Sequence, residues 1–309
     1  MTKLYTISQI IKAHPLYSVQ RDLIQQIYLK AACNSDVILS ELQKHLPDLA
    51  EAIRKNAELI KKLEEENLEL QMRGLQFVCY GDPLFPHSCY LMDDPPLTLS
   101  YFGSPAWMGQ RTVSIVGSRE PSSESLRWME QELALFAESM SPCFVSGGAR
   151  GIDQRAHALA IRKNNPTVVV VPSGLGQLYP SSLTEWIQPV LDKGGCFLSE
   201  YSHQQKMHKH LFHHRNRLIA ALGLSTLIVE AKKRSGTMIT AHQAAQLGRP
   251  VWVVPGHPQD PHFGGSLDLL MEGAQGVRDS QDLIMFFQAE LLTLEQTLPL
   301  MGAGIDGLH

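Results

Sequence analysis

The sequence predicts an α/β fold, a mostly parallel sheet wound between helices and preceded by a small helical N-terminal region. Three observations carry this. From Thr112 onward, apolar runs of strand length alternate with helical stretches, the pattern of consecutive βαβ units. The runs are continuously apolar, as in strands covered on both faces of a sheet. Residues 1–75, by contrast, read as helical throughout.

Taken in order, 8–29 and 36–46 are short amphipathic stretches. Residues 49–74 set Ala52, Ile53, Leu59, Ile60, Leu63, Leu68, Leu70 and Met72 among charges. This spacing predicts one long surface helix stopped by Gly74. Turn signals at Tyr80-Gly81-Asp82-Pro83 and Asp93-Asp94-Pro95-Pro96 mark 77–105 as a connecting segment with one strand at 97–102. The core strands follow at 113–116, 143–145, 167–171, 196–198, 226–229 and 251–254. Between them lie helices at 123–140, 151–163, 183–192, 214–222 and 237–247. The main domain is expected over 76–290 and a flexible, glycine-containing tail over 291–309.

Composition excludes several classes. No apolar run approaches the ~20 residues of a membrane span, and residues 1–11 lack the pattern of a secretory signal. The five cysteines are scattered, odd in number and without zinc spacing, so they read as reduced thiols of a cytoplasmic protein. The net charge of −4 argues against a generic nucleic-acid binder. Its distribution argues otherwise. Residues 203–234 hold seven cations and one acid, Glu230, whereas 256–309 hold eight acids and one cation, Arg278. Local field, not the mean, steers a polyanion.

Four features fall at the carboxyl ends of predicted strands, where ligands of parallel sheets sit. The first is Gly117-Ser118-Arg119: a backbone that admits a phosphate, a hydroxyl, and a guanidinium that grips phosphate in a fork. The second is Ser146-Gly147-Gly148-Ala149-Arg150-Gly151-Ile152-Asp153, a turn into a helix whose free N–H groups attract anions. It is neither a dinucleotide fingerprint nor a Walker loop, which disfavours nucleotide hydrolysis. Asp153 also suits a plain first-turn helix acid. The third is 209–217, where Lys209 and Phe212 pair charge with a stacking ring. Arg215 and Arg217, with Asn216 between them, sit near a predicted helix start and oppose its dipole, which points to an anion there. Either arginine could instead pair with Glu200 or Glu230. The fourth is the turn Lys232-Lys233-Arg234-Ser235-Gly236-Thr237, with Ser235 or Thr237 as a helix cap beside exposed N–H groups. His203, His208, His210, His213 and His214 cluster in sequence, but no Cys, Asp or Glu lies among them. We expect no metal and no cofactor.

In this order the four features resemble the DprA/Smf DNA-processing family. Matching strings are Ile115 to Arg119; Ser146-Gly147, Ala149, Gly151-Ile152-Asp153 and Ala156-His157; Gly174 to Tyr179-Pro180; Leu198-Ser199-Glu200-Tyr201; Arg215-Asn216-Arg217 with Ile219-Ala220; Val229-Glu230-Ala231 through Ser235-Gly236 to Ile239-Thr240-Ala241; Gly248-Arg249; and Val254-Pro255-Gly256. The resemblance covers about 77–285, and its strength lies in the ordered set. It implies an extended Rossmann-like fold that dimerises, binds single-stranded DNA and delivers it to the RecA recombinase in natural transformation, without catalysis. By position it also implies a DNA pocket of Ser118, Arg119, Ser146, Gly147, Lys209, Phe212 and Arg217.

The chain departs from the family at Gly148, usually apolar, and at His213-His214, where a proline-containing approach is commoner. No winged-helix module follows residue 290, so functions resting on one are expected to be absent. Two rival readings use the same fold. A nucleotide-processing phosphoribohydrolase would need Pro-Gly-Gly-x-Gly-Thr and a Glu, and Val254-Pro255-Gly256-His257 lacks most of it. The other is a small-nucleotide sensor.

Overall fold

The computed structural model describes residues 1–13, 18–109 and 111–305. Five helices come first: α1 Thr2–Ala13, α2 Ser18–Ala31, α3 Ser35–His45, α4 Pro47–Lys55 and α5 Ala57–Met72. The single helix expected over 49–74 is two. The break falls at Asn56, whose side-chain amide donates to the Ala52 carbonyl at 2.8 Å and competes with the backbone for it. Gly74 ends α5 as expected, with φ +96° that favours glycine.

The apolar faces of these helices, with Ile7, Ile11, Ile24, Tyr28, Ile38 and Leu42, merge with Val78, Leu99 and Leu198 of the sheet in one core. The sheet has nine strands: β1 Leu75–Cys79, β2 Thr98–Gly103, β3 Thr112–Val116, β4 Cys143–Ser146, β5 Thr167–Val170, β6 Cys196–Ser199, β7 Ser225–Ile228, β8 Val251–Val253 and β9 Gln275–Gly276. Their order is β1-β2-β6-β5-β4-β3-β7-β8-β9. β1 and β2 are antiparallel additions beside β6, and all other pairs are parallel. The segment expected as a connector thus widens the sheet by two strands.

The remaining helices are α6 Ser123–Trp128, α7 Ala134–Met140, α8 Ile152–Arg162, α9 Ile187–Asp192, α10 Lys209–Leu222, α11 Gly236–Gln246, α12 Gly264–Met271 and α13 Ser280–Ile305. A π-helical turn, Met129–Leu133, joins α6 to α7. The tail expected at 291–309 is helical as far as Ile305, because α13 continues from the segment that buries Leu283 and Phe287 beside Phe136. Residues 306–309 lie outside those described. This is an extended Rossmann-like fold. From β3 the chain winds outward through β4, β5 and β6, then returns to the other side of β3 with β7. The switch point, and hence the natural crevice, lies at the carboxyl ends of β3 and β7.

The N-terminal helices are tied to this core through Glu200, just beyond β6. Its carboxylate, only 4% exposed as a residue, accepts from Arg217 at 2.6 Å and pairs with Lys12 at 2.8 Å. The Tyr5 hydroxyl donates to the Tyr201 carbonyl at 3.0 Å, and the Lys12 ammonium lies 4.6 Å from the centre of the Tyr201 ring. Burial pushes the Glu200 carboxyl up, but Arg217, Lys12 and His214 outweigh it and the net shift is downward. Among the described residues no helix is long and apolar enough to cross a membrane, and all five cysteines are free thiols.

Removing one partner of a buried pair leaves the other charge uncompensated. Glu200→Gln should therefore lower the unfolding free energy by about 3–5 kcal/mol. Lys12→Ala, at the more exposed end of the pair, should lower it by no more than about 1 kcal/mol. Urea midpoints of the two variants check this order.

Candidate functional site

At the switch point an open cavity of about 910 Å³ is walled by the β3–α6 loop, the β7–α11 loop and one face of α10. Its lining includes Gly117, Ser118, Arg119, Lys209, Phe212, Arg215, Asn216, Lys232, Ser235, Gly236 and Thr237, so three of the four sequence features converge. The remaining one, the turn from Ser146 to Asp153, contributes only Ala149 and Asp153.

The floor is built on Arg215. This side chain is 3% exposed, and its Nη1 donates to the Gly147 carbonyl at 2.7 Å and to the Val170 carbonyl. It stitches the ends of β4 and β5 together. A Cβ on Gly147 would overlap the guanidinium, so that glycine makes room for an arginine. Burial pulls the Arg215 pKa down to about 10, which leaves it charged near neutrality. Asp153 stands beside it, and its Oδ2 accepts from the Ala149 N–H at 3.3 Å. Desolvation raises the Asp153 carboxyl to about 6, against the lowering influence of Arg215 and the turn N–H groups.

The two loops are tied to each other by Glu230, at the end of β7 and fully buried. Its Oε2 accepts from the Ser122 N–H at 2.8 Å, the Ser122 hydroxyl at 2.7 Å and the Ser125 hydroxyl at 2.8 Å. Its Oε1 meets His262 Nδ1 at 3.1 Å. Burial pushes this carboxyl up, and the donors more than reverse that. Three residues before Ser122, Arg119 is thereby held over the crevice with its guanidinium 5.1 Å from the centre of the Phe212 ring.

Helix α8 does not present the open N-terminus expected of it. Ile152 N–H donates to the Ser118 carbonyl at 3.1 Å and Gln154 N–H to the Ala149 carbonyl at 3.2 Å. Gly151, φ +85°, is packed against the Ser118 carbonyl where a Cβ would collide. The open N-termini belong to α10 and α11. Their caps, His208 and Ser235, make no side-chain capping bond. Gly236 has open space where a Cβ would be. The Leu211 and Met238 N–H groups donate back to the cap carbonyls, and the residues that begin both helices, His208 and Lys209, Ser235 and Gly236, line the crevice.

Ser146 and Arg217 are placed elsewhere. Ser146 is buried and donates to the Ile115 carbonyl at 2.6 Å, which locks β4 to β3. Arg217 is not in the crevice: positions two apart on a helix point to nearly opposite sides, so with Arg215 on the sheet side Arg217 turns to Glu200. The helix also begins at Lys209, so neither arginine lies at its start. The histidines disperse. His208 and His213 line the crevice, His210 stacks on His208 at 5.9 Å, and His214 bonds the Tyr201 hydroxyl at 3.1 Å on the other side of α10. Among the described residues no His, Cys, Asp or Glu cluster is arranged to hold a metal ion. Sequence reasoning missed Glu230 as a loop tie, which only its position directly after a buried strand could have signalled. It also missed the neighbour of Phe212, Tyr179, whose ring centroid lies 5.7 Å away.

The nine-stranded, mostly parallel sheet with Arg119, Lys209 and Lys232 lining a crevice at its switch point defines an α/β protein of the extended Rossmann-like class. The family model described as DNA recombination-mediator protein A matches residues 76–288, and the chain belongs to this DprA/Smf family of DNA-processing proteins. It is 32% identical to the DNA processing protein DprA of Streptococcus pneumoniae over 74% of this chain and 79% of that protein. It is 32% identical to Protein Smf of Synechocystis sp. over 75% of this chain, but spans only 58% of that relative. The X-ray structure of DprA from Streptococcus pneumoniae superposes with a TM-score of 0.73 at 26% identity, covering 92% of this chain and 97% of that one. A DNA processing protein A structure from Helicobacter pylori, described for its single-stranded DNA binding mode, gives 0.60 at 29% identity over 70% and 97%.

The raised Asp153 carboxyl has a signed consequence. The folded chain holds this proton more tightly than the unfolded chain, so the contribution is complete below 3.8 and lost as pH rises through about 6. Measured against Asp153→Asn, the wild-type chain should lose relative stability across that window. A pH-independent difference between their denaturation midpoints would contradict the assignment.

Proposed function

We propose that this chain is a non-catalytic single-stranded-DNA-binding protein that protects incoming DNA in the cytoplasm and loads the RecA recombinase onto it in natural transformation, working as a homodimer. The observation that carries the DNA reading is one crevice combining Arg119, Lys209 and Lys232, none ion-paired among the described residues, with two open helix N-termini and the Phe212 ring. Phosphate-gripping charge beside a stacking surface is what a single strand engages. The Helicobacter pylori relative, described for its single-stranded DNA binding mode, supports the same ligand.

The non-catalytic reading rests on the floor. Asp153 is engaged by the Ala149 N–H beside Arg215, and no described nucleophile in the crevice is hydrogen-bonded to a base. The phosphoribohydrolase alternative finds little support. Gly256 packs against the Phe263 ring, and none of Val254 to His257 lines the crevice.

A gel-shift titration across a salt series tests the reading. Affinity should favour single strands, with a log–log salt slope of about −0.7 per phosphate contacted. Equal affinity for duplex at every salt concentration would overturn it. Arg119→Ala and Lys209→Ala should each weaken binding and flatten the slope by roughly 0.7. Phe212→Ala should cost about 1–3 kcal/mol with the slope retained, because stacking releases no counterion. Sedimentation of the chain alone and with RecA checks the dimer and the recombinase contact.

A further inference from the structure

We propose that Tyr179 is a second base-stacking platform, which carries the strand out of the crevice beyond Phe212. The inference rests on the single-stranded DNA reading and deepens it. Tyr179 sits on the loop after β5, outside the lining of the crevice, with its ring nearly perpendicular to that of Phe212 at 81° and 5.7 Å. Arg119, Phe212 and Tyr179 therefore form a row of successive contacts with Phe212 at its centre. Phe212 is half-buried, with Arg119 over its ring and Tyr179 against it. Tyr179, at 44% exposed, supplies the open aromatic surface of the row.

An isolated half-exposed tyrosine needs no explanation. Two features set this one apart. The first is its place next to the ring and the cation that the crevice already offers a strand. The second is its support. Gly174 N–H donates to the Gln205 carbonyl at 2.8 Å, and Gly176 N–H donates to the His203 carbonyl at 2.9 Å. The Gln177 side chain donates to that of Gln204 at 3.0 Å. Neither glycine has room for a Cβ, because the Ser202–His203 backbone lies against Gly174 and the His203 imidazole against Gly176. Leu175 and Leu178 pack on the core of Val169, Val171 and Leu183 beneath. An aromatic side chain projecting from a backbone fixed in this way is ordered before the ligand arrives, so less entropy is lost on stacking. The same stitching binds the loop to residues 202–205, which lead into α10, so Tyr179 and Phe212 keep their mutual position.

The test uses the full chain and an oligo-dT carrying 5-iododeoxyuridine at successive positions. Irradiation should crosslink one position to Tyr179, identified by mass spectrometry of the tryptic peptide. Tyr179→Ala and Tyr179→Leu should each weaken binding roughly five- to a hundredfold, with the salt slope unchanged. Tyr179→Phe, which keeps the π face, should stay within about twofold. If Tyr179→Leu binds as tightly as the wild-type chain, the residue merely covers Phe212 and the inference is overturned. A loss of binding in Tyr179→Ala that disappears once its thermal stability is matched by lowering the temperature also overturns it. A wild-type chain that binds no single strand overturns the proposed function first, and this inference with it.

Discussion

One buried guanidinium organises the carboxyl end of the sheet. Arg215 reaches from α10 to the last carbonyls of β4 and β5, and Asp153 faces it from α8. An unpaired charge at this depth would be strongly unfavourable, so the two carbonyls that receive it are requirements of the fold. Once Arg215 is anchored, the rotation of α10 is fixed. The face bearing Lys209, Phe212 and Asn216 then lines the crevice, and the face bearing Arg217 turns away from it.

The same geometry sorts the positive charge. The basic segment looks uniform in sequence, but Arg215 and Arg217 are consumed by internal pairing, and Lys233 pairs with Asp268 at 3.1 Å. Arg119, Lys209 and Lys232 remain toward solvent in the crevice. A count of cations along a chain therefore overstates the field a polyanion meets, because the buried ones already answer to carboxylates and carbonyls.

The doubly covered parallel strands were legible because burial on both faces leaves an unbroken apolar run. β9, Gln275–Gly276, was not legible, since two exposed residues carry no apolar signal. β1 carries a weak signal although Leu75, Phe77, Val78 and Cys79 are buried, because its partner β2 lies beyond a long turn-rich stretch. The helix break at Asn56 hides in a side chain that competes locally with the backbone. In the site, the sequence predicts that a phosphate approaches the glycine-containing turns, whereas the groups that lie against these glycines are the protein's own. Gly147 admits Arg215, Gly151 the Ser118 carbonyl, and Gly117 the Ile152 side chain. Sequence marks where a Cβ is forbidden and does not name the neighbour that forbids it. Tyr179 was visible only as part of a matching string, since its relation to Phe212 is made by tertiary contacts between two loops.

The bracket at Glu200 bears on where this protein ends and its appendage begins. The match to the family starts at residue 76, which invites a view of the N-terminal helices as a detachable module. The interior contradicts that view, because Leu4, Ile7 and Ile24 share a continuous apolar cluster with Val78, Leu99 and Leu218. Lys12 and Tyr5 close over Glu200 and Tyr201 from the same side. A cut at 76 would pass through this shared interior and bare a hydrophobic wall with a half-neutralised carboxylate in it. As a folding unit, the helices and the sheet are one body, and any excised sheet fragment would carry a sticky face of the kind that drives precipitation.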